Sequence, residues 1–328
     1  MNSDKPILDR DSNVLFIRLN RIGDALVTTP LLTQVKQQIR CKVFVLADKK
    51  NHFIFEHCPA VDETYIYRKG LSGLKEIKSL ISKNNIDTIV DLHDDLSFSV
   101  SYILRSVKVK QVFGLKKKTE KLYTQTVSKP DPTRNHIIER TLEISKLFGL
   151  TPDYRKANVY YKFNSDSLKY ADDIISPLED NFLLGINITA GSDARFWGKE
   201  NFIRLIESLK NYKLNYLLFT NDEYYQTAKE ITSKKNIFPP NQDFDIFAAG
   251  ISKMNMLFTP DTSVIHIASM MKIPVFGLYV KYNTNDMIWS PYDTDFDSIV
   301  TEEPTLHNVS YDEVKNKFIT FLEKHLNV

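Results

Sequence analysis

The sequence predicts an α/β protein built of two Rossmann-like βαβ domains, each a mostly parallel sheet with helices on both faces. Three observations lead there. The 328 residues exceed what one hydrophobic core usually organises. Short continuous apolar runs, such as VLFIRL at 14–19 and KVFVL at 42–46, have the character of strands buried on both faces, and they alternate with segments of helical period. Polar turn residues follow key strands, as at 20–24 and 260–263, where open parallel sheets hold their ligands. The reading places an N-terminal domain over 1–170, a C-terminal domain over 171–310 and a terminal helix over 311–328, which is expected to pack back on the N-terminal domain. The two sheets are expected to face each other across a cleft, the default ligand site.

In the first domain the strand 14–19 turns through NRIGD at 20–24 into a helix running to about residue 39, with Pro30 expected to kink it. The strand 42–46 follows, then a short helical stretch at 51–57. Further strands are read at 64–67, 86–92 and 110–113, separated by helical patterns at 71–82 and 96–107. Residues 114–134 read as an irregular loop, rich in lysine at Lys116, Lys117, Lys118 and Lys121 and interrupted by Pro130 and Pro132. A helix over 135–148 stops at Gly149, a strand follows at 158–163 and a helix at 166–175, and the chain changes domain between about 164 and 180.

A second alternating series opens with the strand 182–188. The helix 200–209 carries Phe202, Leu205, Ile206 and Leu209 on one face, the spacing of a helix packed on a sheet. A strand at 216–219 and helical segments at 223–231 and 244–251 lead to 254–266, MNMLFTPDTSVIH, in which a short strand at 256–258 stops at Pro260. Asp261, Thr262 and Ser263 are good helix N-caps, and Val264, Ile267, Ala268 and Met271 form an apolar stripe behind them. Thr262, His266 and Ser269 fall on the opposite face, expected to be free for a ligand. A strand at 273–279 closes the sheet, and a terminal helix over 312–326 carries Val314, Phe318, Phe321 and Leu322 as its stripe.

Bulk properties exclude several classes. A net charge of +2 without basic residues interleaved among aromatics gives no nucleic-acid platform. Cys41 and Cys58 form neither a disulfide framework nor a metal-ligand spacing, the usage of a reducing compartment. The polar start MNSDKPILDRDSN has no signal-peptide core, and no run approaches the roughly 20 apolar residues of a membrane span, so a cytoplasmic protein is expected, with peripheral membrane contact left open. Neither GxGxxG nor GxxxxGK[ST] occurs, and HExxH, CxxC and GxSxG are missing too.

What remains points to an anion. The helix start at 261–263 offers unpaired N–H groups to a phosphate; its alternative is an ordinary capped helix with a surface histidine. In the loop ITAGSDARFWGKEN at 188–201, Gly191 and Gly198 permit close backbone approach, while Arg195 and Lys199 bring cations to the same sheet edge. Arg195 alone reads equally as a solvated loop cation. Arg18, Asn20, Arg21 and Asp24 crowd the turn after the first strand, where Asp24 is either a general base or a simple N-cap. His93-Asp94-Asp95 ends another strand on that edge, to bind substrate or merely to cap the next helix. Three DxD matches, Asp243–Asp245, Asp293–Asp295 and Asp295–Asp297, could hold a divalent cation, but so short a pattern arises easily by chance and no metal site is expected.

The segments RLNRIGDALVTTPLL (18–32), GSDARFWGKENFIRLI (191–206) and FTPDTSVIHIASMMKIPVFGLY (258–279), in this order, resemble the bacterial heptosyltransferase-type glycosyltransferases of family 9. The resemblance implies the two-domain B-type glycosyltransferase fold, with an N-terminal acceptor-binding domain and a C-terminal domain for the nucleotide-sugar donor. It implies Asp24 as the base that deprotonates the acceptor hydroxyl, and Arg195, where the family usually has lysine, as the charge that stabilises the departing diphosphate. Donor contacts are then expected from Gly191, Ser192, Arg195, Lys199, Glu223, Asp261, Thr262, Ser263 and His266, with Glu223 on the ribose, and acceptor contacts from Arg18, Asn20, Arg21 and His93. Ser263 replaces a usual glycine, and Gly198 stands where a proline often follows the tryptophan, which leaves the donor sugar open.

The implied activity is an inverting, metal-independent transfer of heptose or a related sugar from a nucleotide diphosphate to a lipopolysaccharide or surface-glycan acceptor. No cofactor is expected; the nucleotide sugar, ADP-heptose or another, is a substrate. The expected partners are that donor, a glycolipid or oligosaccharide acceptor and the cytoplasmic face of the inner membrane, with the lysine loop 114–121 binding an anionic glycolipid or lying solvated. A metal-dependent nucleotide-sugar enzyme, an epimerase and a non-catalytic sugar-nucleotide sensor stay open, separated by EDTA sensitivity, product analysis and turnover.

Overall fold

The computed structural model describes residues 8–189 and 191–326. Residues 1–7, which hold most of the polar start, Ala190, and the last two residues assigned to the terminal helix lie outside the described residues. The chain forms two compact units, Met1–Lys162 and Phe163–Val328.

The first unit contains β1 (Asn13–Arg18), α1 (Ile22–Leu26), α2 (Thr29–Ile39), β2 (Lys42–Ala47), α3 (Phe53–Glu56), β3 (Glu63–Ile66), α4 (Leu71–Lys83), β4 (Thr88–Asp91), α5 (Phe98–Ser106), β5 (Gln111–Leu115), β6 (Gln125–Val127) and α6 (Ile137–Leu142). Its six strands are parallel in the order β3-β2-β1-β4-β5-β6. Central β1 buries both faces: Leu15 and Ile17 join Phe44, Ile89, Val100 and Ile103 on one side, while Phe16 stacks on Phe148 on the other. Strand order reverses between β1 and β4, and the carboxyl ends of those two strands carry the candidate residues.

The second unit contains α7 (Ser165–Ile175), β7 (Phe182–Asn187), α8 (Lys199–Ser208), β8 (Leu214–Phe219), α9 (Tyr225–Ile231), α10 (Phe244–Ile251), β9 (Met256–Pro260), α11 (Val264–Met270), β10 (Val275–Val280), β11 (Phe296–Thr301) and α12 (Tyr311–Leu326). The parallel order is β11-β10-β9-β7-β8, so the reversal lies between β7 and β9. An aromatic core of Trp197, Phe202, Phe258, Phe276 and Phe318 fills the space beneath this sheet.

Several expectations change. The first helix is not continuous: Thr28 and Thr29 each turn a side chain back onto a carbonyl one turn earlier, and Pro30 sits in the first turn of α2, where its missing N–H is harmless. The segment 158–163 is no strand. Ala157, Val159 and Tyr161 are buried in strand-like alternation, but the Tyr160 N–H donates to the Thr29 hydroxyl at 2.8 Å instead of to a strand partner. The region read as an irregular loop contains β6, and β11 lies beyond the strand expected to close the second sheet. α6 ends at Leu142 and tightens into a 3-10 turn over Glu143–Phe148 before Gly149.

The unit boundary falls before 170 because α7 belongs to the second unit. Asp245 on α10 accepts from the Asn164 N–H at 2.9 Å, and Lys253 pairs with Asp172 of α7. The stripe of α12, expected to pack on the N-terminal domain, is buried instead in the second unit's own core, where Phe318 meets Phe258 and Phe276.

Candidate functional site

Each unit assembles its own cluster at the point of strand reversal. In the first unit Arg18, the last residue of β1, is 2% exposed and fully engaged: Nη2 donates to Asp24 Oδ1, Nε to the Asp24 carbonyl at 3.1 Å and Nη1 to the Leu92 carbonyl at 2.7 Å. Such a planar fork suits a bidentate grip on one residue. Asp24, in the first turn of α1, keeps its side chain 24% exposed, and its Oδ2 has no partner among the described residues. Arg18, expected to touch the acceptor, is therefore a buried brace for the carboxylate.

His93 is also buried, at 6% exposure, rather than open to substrate. Its Nδ1 donates to Asp91 Oδ1 at 2.7 Å and its Nε2 accepts the Leu19 N–H at 3.3 Å, which assigns the Nδ1–H tautomer. Burial, the largest influence, pushes its pKa below the ordinary value despite the opposing pull of Asp91. The bond to Leu19 fixes the start of the turn in which Asn20 adopts φ 89°, a left-handed conformation that asparagine tolerates at a tight turn. Asn20 and Arg21 are exposed on this turn.

Asp91 is the hub of this cluster, and sequence reasoning missed it. Besides the bonds from His93 it accepts from Lys117 Nζ and the Tyr123 hydroxyl, both at 2.7 Å. Burial pushes its carboxyl up, but the His93 bond and the Lys117 charge outweigh that and hold it below the usual range. Burial and the Asp91 charge drive the Tyr123 hydroxyl above the range in which tyrosines titrate. Lys117, read with its neighbours as a loop that binds an anionic glycolipid or lies solvated, is a buried ion-pair partner whose side chain is 5% exposed. An aspartate closing the apolar run TIV was the available signal. Beside the hub, Asp94 pairs with Arg140 and Lys129, so it serves the fold.

In the second unit Trp197 organises the loop after β7. It is 1% exposed, donates to the Val309 carbonyl and stacks on Tyr311, and so pins the 3-10 turn Asp193–Arg195 just before it. Arg195 then reaches the loop after β9, with Nη1 on the Asp261 carbonyl at 3.0 Å and Nη2 on Asp261 Oδ2 at 3.1 Å. The side chains of this pair stay 30% and 25% exposed, open to a ligand. Asn187, unnoticed in the sequence, ends buried β7. It donates to Thr259, to the Thr189 carbonyl and to the Thr262 hydroxyl, and accepts from Thr189. Two loops of one sheet edge thus hang from one amide. The Tyr279 hydroxyl near Asp261, also unforeseen, is buried without a hydrogen-bond partner among the described residues, and burial raises its pKa well above normal.

Other placements differ from expectation. α11 is seven residues long, and its polar face is covered: His266 and Ser269 are each 3% exposed, the first against Trp289, the second bonded to Tyr292. Only Asp261, Thr262 and Ser263 remain accessible at its start. Lys199 pairs with Glu230 of α9 at 2.9 Å rather than joining Arg195. Gly191, Ser192 and Glu223 are exposed, the first two in the loop with Arg195 and the last beyond β8. The DxD aspartates are engaged: Asp243 caps α10, and Asp293, Asp295 and Asp297 pair with Lys272, Lys324 and Lys317. Among the described residues no group of three or more His, Cys, Asp or Glu could hold a metal, and no helix is long and apolar enough to cross a membrane. A cavity of about 340 Å³ lined by Leu46, Tyr65, Gly73 and Leu80 includes none of the candidate residues.

The motifs at 191–206 and 258–279 thus share one sheet edge, and the profile of glycosyltransferase family 9 (heptosyltransferase) spans both, matching residues 75–319. The chain belongs to this family. The chain is 19% identical over 280 residues to the lipopolysaccharide core heptosyltransferase OpsX of Haemophilus influenzae, with 83% of this chain and 80% of OpsX covered. Among solved structures, a family 9 glycosyltransferase from Veillonella parvula superposes with a TM-score of 0.82 at 18% identity, covering 97% of this chain and 99% of the other. Escherichia coli heptosyltransferase WaaC with ADP superposes at 0.74 and 16%, covering 96% of this chain and 100% of that one. The chain is therefore a glycosyltransferase, and its two parallel-sheet units have the B-type fold.

Proposed function

We propose that this family 9 enzyme moves heptose or a related sugar from a nucleotide-diphosphate donor to a sugar hydroxyl of a lipopolysaccharide or similar surface-glycan acceptor. The second unit takes the donor. Arg195 faces the leaving diphosphate, with Gly191, Ser192 and the backbone of residues 261–263 beside it and Glu223 on the ribose. The first unit takes the acceptor, with Asn20 and Arg21 on the sugar and Asp24 as base. The names of the OpsX and ADP-bound WaaC relatives favour ADP-heptose.

Transfer passes through an oxocarbenium-like state in which negative charge grows on the diphosphate. Arg195, preset by Asp261, meets that charge without reorganising, so no metal is required. Asp24 Oδ2 accepts the proton of the attacking hydroxyl while Oδ1 stays on Arg18, and attack opposite the leaving group inverts the anomeric centre. The observation that carries the reading is a carboxylate braced by a buried arginine at one sheet's reversal point, with one oxygen unengaged.

Thermal-shift titration with ADP, UDP, GDP and CMP and their sugars tests donor binding, since a ligand of the folded state raises the melting temperature. Product analysis by mass spectrometry and NMR then identifies transfer and anomeric configuration. Binding of no nucleotide sugar, or a retained configuration, defeats the proposal.

A further inference from the structure

The carboxyl edge of the first sheet carries an exposed apolar patch that the proposed chemistry does not use. Ser97 caps α5 through the Val100 N–H, which sets Phe98 at the first helical position with 84% of its surface exposed. Tyr102, four residues on, is 46% exposed, and Leu96 just before the helix is 44% exposed. The opposite face of α5, with Val100, Ile103 and Leu104, is the one that packs on the sheet. Phe98, Tyr102 and exposed Arg105 lie at i, i+4 and i+7, one stripe turned from the core.

Next to β4, which leads into this helix, β5 leads into the lysine loop. The 3-10 turn Glu120–Leu122 lies against α5, with Leu122 packed on the core cluster that includes Val100, Ile103 and Leu104. Lys117 is withdrawn to Asp91, and Lys116 faces Glu120 at 3.7 Å. Lys118, Lys121 and Arg105 are exposed with no acidic partner among the described residues. Asp95, exposed just before Leu96, is held by Lys129 at 3.1 Å. Exposed aromatics on a helix whose neighbouring turn and last turn carry exposed cations match an anionic bilayer surface, where rings enter the headgroup boundary and basic side chains meet lipid phosphate.

We propose that the first unit docks on an anionic lipid surface through Leu96, Phe98 and Tyr102, with Lys118, Lys121 and Arg105 on the headgroups. This names the membrane partner of the acceptor-binding unit and rests on the proposed function only for its use, because docking is measured without turnover.

The test is co-sedimentation of the full chain with phosphatidylglycerol-rich and pure phosphatidylcholine vesicles at low and high salt. Wild type should partition onto the anionic vesicles and leave them as salt rises. Phe98→Ser with Tyr102→Ser should lower partitioning on the order of tenfold or more. Lys118→Gln and Lys121→Gln should each lower it about fivefold. All three variants should keep the wild-type melting temperature and the rate on a water-soluble acceptor fragment. Equal binding to neutral vesicles, no binding by wild type, or variants that bind like wild type would overturn the docking surface. So would sedimentation velocity showing that the patch joins two copies of the chain. Loss of turnover with vesicle binding intact falls on the catalytic reading instead.

Discussion

Replacing Asp24 by asparagine separates the base from the brace. The amide keeps the size of the side chain, and its oxygen can still accept from Arg18 Nη2, while the Arg18 bonds to the Asp24 and Leu92 carbonyls involve backbone and are untouched. The pair is partly exposed on the Asp24 side, and Arg18 retains the fields of Asp91, Asp94 and Asp95. Loss of the charge beside a buried arginine should therefore lower stability by about 1 to 3 kcal/mol, with the amide still accepting from it. Loss of a general base lowers turnover by roughly 10² to 10⁴, equivalent to about 2.7 to 5.5 kcal/mol of transition-state stabilisation. Catalysis should thus fall more than the fold can explain. Initial rates at saturating donor, followed by mass spectrometry, give kcat, and calorimetry gives Tm. Donor affinity in the thermal-shift assay should stay at the wild-type value. Turnover within a factor of a few of wild type, or a collapse of Tm, would refute the assignment of Asp24 as base.

Arg195→Ala should lower kcat by about 10² to 10³ through loss of charge at the leaving group, and Arg195→Lys should recover part of it, measured in the same rate assay. His93 has a folded pKa lowered by burial, so its contribution to stability is complete above its unfolded pKa of 6.5 and drains away as pH falls below it; Asp91, also lowered, extends the loss below its ordinary 3.8. The Tm of wild type should accordingly decline below about pH 6.5, and His93→Gln should flatten the first part of that decline. Transfer should persist in EDTA, whereas abolition restored by a divalent cation would reinstate the metal-dependent reading.

The fold was readable where burial imposes a pattern. β1, β2, β7 and β10 are central strands covered on both faces, and an unbroken apolar run can mean little else in a chain of alternating helices. Two of the four edge strands, β6 and β11, escaped for the converse reason. β6 is three residues of QTV, and β11 is half exposed and reads FDSIVT, its Asp297 more visible as the end of a DxD pattern than as one face of a strand. Asp24 and Arg195 were legible as types in the right turn, but what each does with its neighbours was not. Nothing local in the sequence tells that Arg18 is buried behind Asp24 or that Lys117 folds inward to Asp91. Helical periodicity put His266 and Ser269 on the polar face of α11 but could not show that Trp289 and Tyr292 cover that face.

The buried polar residues missed in the sequence explain why the visible ones can work. Where strand order reverses, neighbouring connections diverge and the carboxyl ends of two strands lie bare, so the loops there lack regular backbone partners. Asp91 and Asn187 end β4 and β7 at these points, and each is buried with its polar atoms satisfied by residues of several loops. A buried polar group tolerates few arrangements of its partners, because each bond lost exposes the full desolvation penalty of the group, about 1 to 3 kcal/mol. Rigidity is thereby transferred outward. Asp91 fixes His93, which fixes Leu19 and the turn that presents Asp24, while Asn187 fixes Thr262 beside the Asp261 that aims Arg195. On the proposed donor reading, arginine where the resemblance implies lysine fits this scheme, since its fork can keep both bonds to Asp261 and still show a face to a diphosphate, which a single ammonium could not.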